Sequence, residues 1–124
     1  MTTKHTYLKT HRLSGDILEF MLPAEEAALR ERAAGAKAGR AAKTLVKEGA
    51  LRLTLVALNK GIVLQAHQVE GAVSIHVIRG RARISAAGTD STVGAGGIVV
   101  VAPQETHAAQ ALTDCALLVT VAAP

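Results

Sequence analysis

Aromatic side chains are almost absent from this chain: one Tyr, one Phe and no Trp in 124 residues. Such a chain has little on which to stack bases or grip a planar ring, so nucleic acid is not an expected partner. Cysteine occurs once, at Cys115. No internal disulfide can form, which fits a reducing, cytoplasmic setting. No uninterrupted apolar run approaches the roughly 20 residues that a membrane-spanning helix needs. The opening Met-Thr-Thr-Lys-His-Thr leads into no apolar stretch, so no secretory signal is expected. What is abundant is aliphatic: apolar residues make up 49% of the chain, enough for one domain to bury a core without staples. The net charge is +4, and ten of the fourteen Lys and Arg residues lie in positions 1–52. That basic half reads as the solvated face of a helix and a first strand.

The pattern divides the chain into an N-terminal arm and helix, residues 1–41, and a β-rich unit, residues 42–124, within one compact domain. Residues 1–20 carry little periodicity, with Leu8, Leu13, Ile17, Leu18 and Phe20 as candidates for a short strand or packed arm. From Pro23 to Ala34 the sequence predicts a helix. Proline suits the first helical turn, Glu25 and Glu26 favour the positive end of the dipole, and Gly35 ends it. Beyond Ala42 the period changes to two. Leu51, Leu53 and Leu55 share one face of a predicted strand. Apolar runs at Ala42–Lys47, Leu51–Leu58, Ile62–Ala66, Ala72–Ile78, Ala82–Ala86, Ile98–Ala102 and Ala116–Ala122 alternate with Gly-, Asn- and Asp-rich breaks. Short strands at this spacing predict an all-β sandwich or barrel. The Gly94–Gly97 cluster precedes neither a helix nor a Lys-Ser/Thr pair, so it reads as a turn rather than a phosphate cradle.

Residues from about Gly61 to Ala111 resemble the two motifs of the cupin superfamily. Gly61 is followed by five residues and then His67, and Gly80 closes the first motif at the expected distance. Gly96 stands the right number of residues before His107 in the second. The resemblance implies an all-β jelly-roll cupin barrel with a short N-terminal helix, most similar to small single-domain cupins. It also implies a homodimer, with residues 1–20 as the segment reaching the partner. A cupin metal site usually takes three histidines and one carboxylate or amide. Here Val69 stands where the second histidine is usual and Val73 where the acid is usual. Ala102, Gln104 and Ala111 replace the second motif's Pro, Gly and Asn.

Two imidazoles leave most of a metal's coordination to water. Glu70 and Glu105 are the carboxylates nearest in sequence, but neither stands at the family's ligand position. The expectation is therefore that no cofactor is held tightly, a weakly bound divalent transition metal being the alternative. The expected activity is binding of a small molecule by His67, His107, Gln65, Val69 and Val73. Strand parity is expected to put Gln65, His67 and Val69 on one face, with Val73, Ile75 and Val77 inward on the next strand. A small carboxylate or hydroxy compound suits two imidazoles. An anion would bind more weakly above about pH 6.5, where histidine loses its charge. The alternative is a metal-dependent enzyme of dioxygenase, isomerase or decarboxylase type using His67 and His107. His76 has the opposite parity and is expected to face away, His5 and His11 to be solvated, and Cys115 to be a buried, inert thiol.

Overall fold

The computed structural model describes residues 3–4 and 17–123, with Thr3, Lys4, Ala66 and His67 described by backbone alone. Leu8, Leu13, His5 and His11, and most of the arm assigned to a partner, lie outside the described residues. Two short strands, β1 (Thr3–Lys4) and β2 (Leu18–Glu19), pair in parallel. Helix α1 runs Leu22–Gly35, bracketing the predicted span, with Pro23 in its first turn. Nine strands follow: β3 (Arg40–Glu48), β4 (Leu51–Leu58), β5 (Val63–His67), β6 (Ala72–Arg79), β7 (Arg81–Ala86), β8 (Thr89–Gly94), β9 (Ile98–Val101), β10 (His107–Ala111) and β11 (Cys115–Ala122). Of these, β8 and β10 were not anticipated from apolar periodicity. Aspartate, glycine and alanine are depleted in strands, and although threonine favours them neither segment has an apolar period, so both are held by their neighbours.

The strands form two antiparallel sheets, one ordered β5-β10-β7-β8 and the other β3-β4-β11-β6-β9. Alternate residues of both sheets fill the space between them: Val73, Ile75 and Val77 of β6, Ala82 and Ile84 of β7, and Ala109 and Ala111 of β10 meet Val56, Leu58, Val101 and Leu117. This is the predicted jelly roll, with Val73, Ile75 and Val77 inward as parity required. The chain crosses from one sheet to the other between β6 and β7 through a single residue, Gly80. Its φ is +75°, and a Cβ there would run into the Asp114 carbonyl oxygen and the Cys115 side chain. Only glycine makes that crossing without strain, which accounts for the motif position. No helix among the described residues is long and apolar enough to cross a membrane.

The larger sheet is covered on both faces, so Leu55, Val56, Ala57 and Leu58 are all buried in succession. Val56 and Leu58 face the barrel, whereas Leu55 and Ala57 pack with Leu45, Val46, Leu29 and Ala33 under α1. Besides those two apolar residues, the helix buries two carboxylates, Glu25 and Glu26. Lys43 Nζ lies 2.7 Å from Glu25 Oε1, Arg79 bonds Glu26, and Arg30 Nη2 sits 3.4 Å from Glu26 Oε2. Asn59 Nδ2 donates to the Ala33 carbonyl at 3.1 Å, occupying one of the acceptors that every helix C-terminus leaves open.

The buried pairs make removal of one partner worse than removal of both. Glu26→Ala is expected to lower stability by about 2 kcal/mol, somewhat less than for a fully dry pair because Arg79 is partly solvated. Glu26→Leu combined with Arg79→Met is expected to recover most of that loss. Urea denaturation of the two variants against the parent measures both effects.

Candidate functional site

His107 opens β10 and is buried, with 4% of its surface exposed. Its Nδ1 lies 3.2 Å from the carbonyl oxygen of Glu105. A carbonyl only accepts, so Nδ1 carries the proton in that bond. The ring forms a shared wall. On the interior side lies a cavity of about 30 Å³ walled by Leu64, Ile75, Ala109, Leu117 and Val119, room for about one water. On the outer side opens a cleft of about 380 Å³ at the mouth of the barrel, edged by Gln68, Ser85, Ala87, Gln104, Glu105 and Thr106. That outer volume falls within the range of small-molecule sites.

His67 ends β5, and its backbone is the register partner of His107. The two motif histidines, forty positions apart in the chain, thus stand opposite each other on adjacent antiparallel strands. The ladder is irregular here: Leu64 pairs with Ala109 and Val63 with Gln110, and a bulge separates these pairs from His67–His107. Such a bulge interrupts the alternation of faces. Strict parity from His67 to Gln65 therefore fails, and Gln65 is exposed. Val69 packs half-buried against the barrel core, and its carbonyl accepts the Gln104 N–H at 2.8 Å, tying two mouth loops together. Val73 is 1% exposed within the packed core and borders neither cavity beside His107.

Gln68, Ser85, Ala87 and Thr106 escaped the sequence reading. Gln68 and Thr106 directly flank the motif histidines, which is the one signal that pointed to them. Among the described residues, Ala87 (φ +51°) and Gln104 (φ +67°) are the non-glycine positions with left-handed backbone. Both border the His107 cleft. Glu105 lies at that cleft and Glu70 beside the adjoining loop, both exposed. Among the described residues, no three His, Cys, Asp or Glu side chains come together as a metal-binding group. The described donors alone do not complete a metal centre.

The packed jelly roll, with its histidine-walled mouth, is the cupin fold. No family model matches the chain. No curated protein matches it in sequence. Among solved structures it is similar to a conserved protein of unknown function from Streptococcus pyogenes, at 25% identity over 72% of this chain and 78% of that one, TM-score 0.67. A cupin superfamily protein from Desulfitobacterium hafniense matches at 13% identity over 68% and 78%, TM-score 0.66. Salicylate 1,2-dioxygenase from Pseudoaminobacter salicylatoxidans matches at 19% identity over 82% of this chain and 32% of that one, TM-score 0.70.

His76 lies on the outer face of its sheet, opposite Ile98 and Leu118 in register, as its parity required. Cys115 is fully buried, and desolvation pushes its thiol up from 9.0 to about 11, with Arg79 opposing the rise and Asp114 adding to it. A thiol held in its protonated form reacts slowly. Iodoacetamide at pH 8 is expected to leave Cys115 unlabelled in the folded protein and to label it fully in 6 M-range guanidinium, roughly the fully unfolding condition, as read by intact mass.

Proposed function

We propose that this cupin is a small-molecule-binding protein whose ligand occupies the mouth cleft above His107. One observation carries the reading: His107 is a nearly buried polar group that borders a broad, open cleft lined by polar side chains. Its Nδ1 is already committed to the Glu105 carbonyl, so the ring is oriented before any ligand arrives. The register opposite His107 supports His67 as a second contributor. Val69 joins at the rim. Gln65, on the bulged strand, and Val73, in the packed core, contribute through the backbone and wall that support the site rather than through direct contact. The interior cavity is too small for anything beyond a water, so the ligand belongs at the mouth and not inside the barrel.

A second reading, a metal-dependent enzyme using His67 and His107, is favoured by one feature. A histidine whose Nδ1–H is held by a carbonyl oxygen is the orientation common among metal-ligating histidines. A metal there would supply Lewis-acid or redox chemistry, and the two imidazoles would hold it.

A thermal-shift screen separates these readings. Ligands of the parent protein are expected to raise its melting temperature by several degrees, as binding well above Kd does, and His107→Ala is expected to abolish that shift. Ligands that stabilise both proteins equally would place binding elsewhere. Metal content of untagged protein after dialysis against a mild chelator is expected to be far below one ion per chain, whereas a stoichiometric ion would favour the enzyme.

The homodimer belongs to the same proposal. Strand β9 is the free edge of its sheet, and Ile98 and Val100 on it are 56% and 69% exposed. Bare apolar edges of this kind invite pairing unless a partner covers them. Light scattering at micromolar concentration is expected to give twice the monomer mass of 12.8 kDa.

A further inference from the structure

Three open depressions share walls near His107, one of them running along the seam between the edges of the two sheets. Gln68 and Gln104 line both the His107 cleft and a depression of about 360 Å³ completed by Val69 and Glu70. Glu105 lines both the His107 cleft and a third space of about 350 Å³ between β8 and β9. Among the described residues, the formally charged side chains at these walls are Glu70 and Glu105, and none is Lys or Arg. This runs against the chain as a whole, whose net charge is +4.

Hydrogen-bonding capacity narrows the ligand further. Each glutamine amide offers two donors and an acceptor, whereas a carboxylate only accepts. A ligand hydroxyl can donate to Glu105 and accept from an amide at the same time. A ligand carboxylate can use the amides but meets Glu105 and Glu70 as like charges. Gln104 is also unusual in its backbone. Its backbone is left-handed, a conformation that glycine adopts without strain and that other residues hold at a cost. The side chain retained on that strained backbone lines two of the connected clefts.

We propose that the mouth selects uncharged, hydroxyl-rich small molecules over carboxylates, with Glu105 and Glu70 rejecting anions and the amides of Gln68 and Gln104 reading hydroxyls. The proposal rests on the mouth being the ligand site. It turns the sequence-based choice between a carboxylate and a hydroxy compound towards the latter.

The test uses two probes that differ in one group, glucose and glucuronate, titrated into the isotope-labelled full chain and followed by NMR. Glucose is expected to perturb the side-chain amides of Gln68 and Gln104 together with the His107 ring. Glucuronate is expected to bind at least about ten-fold more weakly, the effect of a like charge at short range across partly solvated space. Glu105→Gln is expected to close most of that gap by admitting glucuronate. Gln104→Gly relieves the backbone, so it should fold at least as stably as the parent while losing the glucose response. Glucuronate binding to the parent as tightly as glucose, or a gap unchanged in Glu105→Gln, overturns the selectivity while leaving the mouth as the site. Failure of both probes to perturb the mouth overturns the hydroxyl-rich class. Perturbations by glucose confined to residues remote from His107 overturn the mouth reading itself, and the selectivity with it.

Discussion

Aliphatic packing between the two sheets sets what this protein can do. Val73, Ile75, Val77, Ile84 and Leu117 interdigitate with alanines from β7 and β10 and leave a cavity of only about 30 Å³. Small residues on one sheet opposite branched ones on the other let the layers close at interior density. A barrel filled in this way has no interior to offer. Larger open spaces lie among the loops at one end, where the strands stop and polar residues can be placed without being buried unpaired.

The same sheet that walls the barrel is stabilised from outside. Helix α1 presents Leu29 and Ala33 to it, a narrow apolar stripe, with two carboxylates beside them. Lys43 and Arg79, projecting from the sheet, meet those carboxylates. A charge pair contributes less than aliphatic burial of similar area, and its main effect is that losing one partner leaves the other charge uncompensated beside the helix. Arg79 also precedes the Gly80 crossing, so the helix contact and the sheet-to-sheet connection are joined through neighbouring residues.

At the mouth, two short contacts fix the loops: the Gln104 N–H joins the β9–β10 loop to the Val69 carbonyl of the β5–β6 loop, and the His107 ring bonds the Glu105 carbonyl within its own loop. These bonds orient His107 and hold Gln104 in its left-handed conformation. The bulge in β5 returns His67 to the register position of His107 after strict alternation has been interrupted. A regular ladder from Leu64 would not have put those two residues opposite one another, so the irregularity is part of how the motif histidines are paired.

The strands rich in Val, Ile and Leu were legible because their period of two is written locally, and α1 because proline, acidic residues and alanine mark its start and body. The motif glycines were legible from their spacing: Gly61, Gly80 and Gly96 all hold a left-handed backbone, and at Gly80 a side chain would also meet the Asp114 carbonyl oxygen. Strands β8 and β10 were not, since Thr-Asp-Ser-Thr and His-Ala-Ala-Gln carry no such period and become strands only against β7 and β5. For the site, the sequence determined the two histidines and the loss of the usual ligands at Val69 and Val73. Only the tertiary structure decided that Val73 lies in a filled core, that Gln65 falls on a bulge, and that Gln68, Gln104 and Glu105 gather around His107. Spacing along a chain fixes which residues share a face of one strand, whereas cavity volume and loop proximity depend on how distant segments fill space together.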